Sequence, residues 1–197
     1  MWLFLAQEVM FFGGLFMAYA VYRFMYPEAW LEGSASLSVP IGGANTVFLL
    51  LSSFTMAMGV YFCQVGNSKW LFRALFATLI LGIIFVGVKW VYEYTPKFAE
   101  GIFPGAGWGP HGSHYGHLAD FADQGALQIF FILYFIMTGM HAFHMLIGFA
   151  ILLVLMWMTK KNKFGPQRFM PILFFGLYWH FVDIVWVFIF PMFYLVT

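Results

Sequence analysis

Five runs of apolar residues, each long enough to cross a lipid bilayer, decide most of what this chain can become. They extend from Trp2 to Tyr26, Gly43 to Val65, Trp70 to Tyr94, Gly125 to Met158 and Phe169 to Val196. A helix needs about 20 residues to span the hydrocarbon. A membrane strand alternates apolar and polar residues over about ten positions. None of the five alternates, so all are predicted as helices. The expected fold is an all-α integral membrane protein, a bundle of five transmembrane helices forming a single transmembrane helical domain over residues 1–197. The fourth run is longer than a span requires and is expected to tilt or to extend past the lipid.

Composition agrees and removes other classes. Hydrophobic residues make up 63% and charged residues 9% of the 197, against about 25% charged in a soluble domain. At this length a soluble domain still exposes roughly 30% of its unfolded surface, which these proportions cannot supply in polar form. Nine Lys and Arg against eight Asp and Glu leave no basic surface for nucleic acid and no acidic tail. Cys63 is the single cysteine, so an intrachain disulfide and a thiolate metal cluster are excluded. No stretch is left for a sizeable soluble catalytic domain. The first run lacks a basic leader and a small-residue cleavage site and carries Glu8, so it is not a signal peptide. It enters the membrane almost at residue 1, and a trimmed short leader is an expectation.

Basic residues set the expected orientation. Lys69 and Arg73 join spans two and three, and Lys160, Lys161, Lys163 and Arg168 join spans four and five. The opposite side has only Arg23 and Lys97 near span ends. The positive-inside rule then puts the N-terminus in the cytoplasm and the C-terminus outside. Two longer outward loops, Pro27–Gly42 and Pro96–Gln124, are expected to be irregular, the second being rich in Gly, Pro and His.

Ionisable residues inside lipid are rare and face other helices or water. Here they are Glu8 in span one, Lys89 and Glu93 in span three, His141 and His144 in span four, and His180 and Asp183 in span five. Spacing of three puts each His141/His144 and His180/Asp183 pair on one helix face. At about 1.5 Å per residue, His144 lies roughly 24 Å from Lys160, Asp183 roughly 22 Å from Arg168 and His180 roughly 18 Å. The two pairs are therefore expected to meet. They form either a hydrogen-bonded network locking the helices, which spares several kcal/mol of unsatisfied polar groups, or a transition-metal site. Glu8, about 10 Å above the start of its helix, is at the wrong depth to complete a metal set. A bis-histidine haem needs a gap beside small residues such as Gly139 and Gly148. Lys89 and Glu93, four apart near the outer end of span three, are expected to pair locally with Lys89 snorkelling outward. His111, His114 and His117 are a weak metal candidate in a loop. Gly13-Gly14, Ala57, Gly59, Gly82 and Gly87 are expected to permit close helix contact.

Four strings resemble one family. GLYWHFVDIVWVFIF, Gly176 to Phe190, is similar to the last-helix signature of subunit III of haem–copper terminal oxidases. TGMHAFHMLIG, Thr138 to Gly148, is similar to its Thr-Gly-x-His-x-x-His pattern. FLAQEVMFFGGLF, Phe4 to Phe16, resembles its glutamate-bearing helix, and NTVFLLLSSFT, Asn45 to Thr55, a further family stretch. The five spans fall in the family's order, without the first two of its seven-helix members, as in the bacterial five-helix type. Lys89 stands where a Gln is common nearby.

The resemblance implies a subunit that binds no haem or copper itself, these lying in partner subunits. It implies direct packing on oxidase subunit I, company with subunit II and other small subunits, phospholipid binding, and possible inclusion in a larger respiratory supercomplex. The expected location is a bacterial inner (plasma) membrane, and no nucleic acid is involved. The whole complex would reduce oxygen to water and pump protons. Glu8 matches the family's buried glutamate, and His144, His180 and Asp183 match polar positions of its last two helices. Glu8, Glu93, His141, His144, His180 and Asp183 are thus the candidates for a buried polar network supporting the proton path. Two alternatives remain at this stage: a related accessory protein of another reductase, such as a nitric oxide reductase, and an independent metal- or haem-binding membrane oxidoreductase.

Overall fold

The structure is a computed structural model that describes residues 2–103, 108–111 and 115–196. Five helices among these are long and apolar enough to cross a membrane. They are α1 (Trp2–Met25), α3 (Val39–Val65), α4 (Ser68–Ala99), α5 (Gln124–Lys160) and α6 (Met170–Tyr194). A short helix α2 (Pro27–Ala35) lies between the first two, and a 3-10 turn, Gly116–Asp120, precedes α5. No strand occurs among the described residues.

Local chemistry places the helix ends. Proline stands in the first turn of α2, α3 and α6, where its missing N–H costs nothing. The turn from α3 to α4 is tight: Gly66 adopts φ +80° and its N–H donates to Cys63 O, while Asn67 N–H reaches back to Phe62 O. That is a Schellman closure, which needs the left-handed residue. A Cβ there would also stand 3.2 Å from Pro166 Cδ, a tight approach that adds to the preference for glycine. The Asn67 side chain then caps α4 at Trp70 N, and Asp123 caps α5 at Ala126 N. Helix α4 is α-helical over Ser68–Lys89, passes through a π turn at Trp90–Tyr94, and resumes over Thr95–Ala99.

Helices α3, α4, α5 and α6 pack in an antiparallel ring, α3 on α4, α4 on α5, α5 on α6 and α6 on α3. Aromatic side chains fill it: Trp179, Trp186, Phe85, Tyr134 and Phe193 are fully enclosed. Small residues admit them. A Cβ on Gly82 would stand 2.6 Å from the Phe149 ring, and one on Gly148 would stand 2.7 Å from the Trp179 ring. Gly59 touches α4 at ordinary distance, whereas Gly13, Gly14 and Gly87 have nothing within 4 Å, contrary to the expectation of close contact there. The gap that Gly148 offered a porphyrin is filled by indole.

Helix α1 stands outside the ring, resting on α5 with lesser contact to α2 and α6. Only Glu8, Phe12 and Tyr19 of its residues are buried. At its far end the Tyr19 hydroxyl donates to Met192 O of α6, and its ring packs on Trp30 and Phe193.

The Pro27–Gly42 stretch is mostly helix rather than irregular chain. Pro27 at the helix start and Glu28 in the first turn favour α2, and Trp30, inserted edge-on against Phe130, pins it over the end of α5. A Cβ on Gly33 would stand 2.4 Å from the Phe130 ring. Helix α5, 37 residues and about 56 Å long, outruns the roughly 30 Å hydrocarbon. Its Leu127, Phe130 and Phe131 are buried there by protein. The expected extension past the lipid is thus a packed one.

Candidate functional site

The polar side chains expected to form one network between spans four and five go instead to different neighbours. His144 turns outward from the ring to α1, where its Nε2 lies 3.1 Å from Glu8 Oε2. Its Nδ1 is 2.8 Å from the Met140 carbonyl of the preceding turn. His180 faces α3, with Nδ1 2.6 Å from Ser53 Oγ. His141 stands inside the ring between Phe85 and Trp186, ring centroids 5.6 Å and 5.2 Å away. Among the described residues, no hydrogen bond reaches either of its nitrogens or either carboxyl oxygen of buried Asp183. Spacing of three put each pair on one side of its helix, but about 100° per residue separates the members by roughly 60° of arc. In a ring of helices that is enough to send them to different partners.

The depth argument against Glu8 also fails. His144 lies 16 residues, about 24 Å, from the end of α5, and Glu8 lies six residues, about 9 Å, from the start of α1. Their contact means that the two helix ends are offset along the bundle axis by about 15 Å. Counting depth from each helix end assumed that they were level.

Glu8 and His144 form a proton-sharing pair. A carbonyl only accepts, so His144 Nδ1 donates to Met140 O and carries a proton. The contact at Nε2 then needs a second proton, on the imidazole or on the carboxyl, because two lone pairs facing across 3.1 Å would repel. Either way the pair is neutral as a whole. Phe12 lies against the imidazole at 5.6 Å, and the Tyr178 hydroxyl donates to His144 O at 2.7 Å, fixing that turn of α5 to α6. An apolar groove of about 360 Å³ runs over the pair, walled by Phe4, Phe11, Phe143 and Ile147.

A second buried cluster lies toward the other end of the ring. Lys89 and Glu93 pair as expected, but Lys89 does not snorkel: it is 4% exposed and turned inward. Its ammonium donates to Glu93 Oε2, Tyr134 and Tyr194, and both phenols donate to the same carboxylate oxygen. The closed ring supplies inside the protein what water supplies outside. The Trp186 face lies 4.6 Å from the ammonium. Lys97, one π turn and one α turn further along, is 1% exposed, donates to Glu93 O at 3.3 Å and lies over the Tyr134 ring at 5.0 Å. Sequence reasoning missed Lys97, Tyr134, Tyr194, Ser53 and Tyr178. The four-residue recurrence of Lys89, Glu93 and Lys97 was the available signal for the first; nothing singled out two tyrosines among ten.

In the loop, the two described histidines go to different partners. His111 bonds Gly109 O, His117 stands 3.7 Å from Glu32, and His114 lies outside the described residues. Tyr115, buried beside them, has its phenol pushed up to about 12 by that burial and by the nearby carboxylates of Glu93 and Glu100. Among the described residues no three His, Cys, Asp or Glu side chains stand as a metal-ligand set.

Comparison with known proteins identifies the setting. Residues 121–197 match the family model described as cytochrome c oxidase subunit III. The chain is 32% identical over 186 residues to cytochrome c oxidase subunit 3 of Corynebacterium diphtheriae, covering 93% of this chain and 80% of that protein. It is 33% identical over 192 residues to the probable cytochrome c oxidase subunit 3 of Nocardia farcinica, covering 98% and 84%. A third relative, the heme-copper oxidase subunit I+III of Aeropyrum pernix, is 29% identical over 202 residues, which span all of this chain and 22% of that one. At that identity and coverage the chain belongs to the cytochrome c oxidase subunit III family.

Proposed function

We propose that this chain is the non-redox subunit III of a bacterial terminal oxidase, packed directly on subunit I in the plasma membrane. There it binds phospholipid and keeps proton uptake matched to oxygen reduction. Haem and copper belong to the partner subunits; subunit II and smaller subunits complete the complex, which is open to a larger respiratory assembly. The basic connections at the α3–α4 and α5–α6 turns favour a cytoplasmic N-terminus and an external C-terminus. Direct contact with subunit I is supported by the Aeropyrum pernix relative, where subunits I and III share one chain.

The observation that carries the reading is the proton-sharing Glu8–His144 pair beneath an apolar groove. A neutral pair that accommodates its proton on either partner suits a support for proton movement, whereas a ligand set for a metal or haem requires lone pairs free of protons. The groove's apolar walls suit an acyl chain. Glu93, bound to Tyr134 and Tyr194, and His180, bound to Ser53, stiffen the ring behind it.

Glu8→Gln in the assembled oxidase tests this. Gln keeps the hydrogen bond to His144 and removes the exchangeable proton. Slower or less tightly coupled turnover at unchanged haem content is expected. Loss of a haem signal from an otherwise assembled complex would overturn the reading, and so would turnover and coupling equal to wild type.

A further inference from the structure

A second cavity, of about 270 Å³, lies among α4, α5 and α6 and shares no lining residue with the groove over Glu8. Phe85, Tyr94 and Trp186 give it aromatic walls. Trp90 and Leu146, both more than half exposed on the outer surface of the ring, form part of its lining, so it opens sideways toward lipid. A cavity of about 270 Å³ suits a molecule the size of a medium-chain alcohol and is far short of a whole phospholipid.

Three buried polar side chains and the Tyr94 phenol line it, and two of the three, like the phenol, already have hydrogen-bond partners. The Lys89 ammonium spends its three N–H groups on Glu93, Tyr134 and Tyr194, with its charge matched by Glu93. The Thr138 hydroxyl donates to Tyr134 O at 2.6 Å and accepts from the Tyr94 hydroxyl at 2.7 Å. His141 is the third. It is 1% exposed, and neither ring nitrogen has a partner among the described residues. A buried polar group left that way costs about 1–3 kcal/mol, so the site rewards an occupant that brings one hydrogen-bonding atom. No uncommitted charge is present to offset the dehydration of an ionic head group. The aromatic walls and the lipid-facing mouth favour an apolar body.

We propose that this cavity binds an uncharged amphiphile of the bilayer, whose single hydroxyl or carbonyl oxygen hydrogen-bonds His141 while its apolar body lies against Phe85 and Trp186. The inference rests on this cavity alone and is independent of the role proposed for Glu8.

Photolabelling the oxidase complex in its native membrane with a diazirine-bearing octanol, followed by peptide mass spectrometry, tests it. Adducts are expected on the lining residues of α4, α5 and α6, displaced at least tenfold by excess 1-octanol but not by octane. Displacement by octyl acetate as well points to an ester carbonyl of a bilayer lipid as the natural oxygen; displacement by the alcohol alone points to a free hydroxyl compound. Both support the site. Ala142→Trp, which fills the cavity, and His141→Phe, which keeps its shape, should each cut labelling at least fivefold. Leu146→Trp, at the exposed mouth, does the same without touching the core, should the other two fold poorly. Labelling spread over outer helix faces, equal displacement by octane, or full labelling of the His141→Phe protein would overturn the proposal.

Discussion

Replacing Glu93 by Gln keeps the side chain's size and one acceptor oxygen but removes the charge that holds two ammonium groups inside the bundle. Lys89 and Lys97 are 4% and 1% exposed, so neither can turn to water without opening the ring. Breaking a buried pair from one side costs about 3–5 kcal/mol, because the remaining charge stays dehydrated and unmatched. Gln also turns an acceptor of three strong hydrogen bonds into a weaker one. A loss of about 4 kcal/mol, nearly three powers of ten in the unfolding constant at about 1.4 kcal/mol each, is therefore expected. Lys89→Met should cost about the same, leaving the carboxylate with the two phenols. The double variant Lys89→Met, Glu93→Gln removes this pair together and should recover the part of the loss that belongs to Lys89, while Lys97 still lacks its counter-ion, so the double loss should fall clearly below the sum of the singles. Denaturant titration of the oxidase in detergent micelles, following tryptophan fluorescence of this subunit in complexes held at equal concentration, gives the four stabilities of the cycle. Single losses below about 1 kcal/mol, or a double loss equal to the sum of the singles, would refute the reasoning.

Four further outcomes follow from the same contacts. Tyr19→Phe should loosen α1 by about 1 kcal/mol through loss of the bond to Met192 O, seen as faster proteolysis or hydrogen exchange in α1 alone. Gly148→Leu drives a side chain into the Trp179 ring and should cost about 1–3 kcal/mol or more in thermal stability. Gly66→Ala should cost roughly 1–2 kcal/mol at the α3–α4 turn, from its φ of +80° and from Pro166 beside it, whereas Gly87→Ala, which has open space, should be neutral or slightly stabilising. The folded chain keeps the Tyr115 proton up to about 12, while the unfolded chain releases it near 10. Between those values the folded state therefore binds more protons, and stability falls as pH rises. Tyr115→Phe should flatten that part of a pH–melting curve, and an unchanged slope would count against the assignment.

What the sequence makes legible is whatever depends on one helix at a time. Apolar runs mark the five spans because the bilayer sets one length for all of them, and Lys89 and Glu93 find each other because they are one turn apart. What depends on how helices stand beside one another is not legible. The Glu8–His144 contact needed the 15 Å offset of α1, which no residue encodes by itself. The separation of His141 from His144 needed the positions of α1, α4 and α6 around α5. Lys89 turned inward because Tyr134 and Tyr194 arrive from other helices, and among ten tyrosines no local pattern distinguishes them. Helix α2 was missed for a different reason: nine residues are too few to show periodicity, and its stability comes from Trp30 on Phe130.

The neutrality of the Glu8–His144 pair has an electrical consequence. In an energised membrane a full charge crossing the bilayer exchanges about 2.3 kcal/mol per 100 mV with the field. An isolated carboxylate on α1 would tie any sliding or tilting of that helix to the membrane voltage. With its charge cancelled by the partner on α5, the pair as a unit does no work against the field, and the proton between them shifts only along a 3.1 Å contact. While Glu8 and His144 stay in contact, α1 and α5 therefore meet the field as one unit, and it exerts no net pull on the pair that seats the outermost helix.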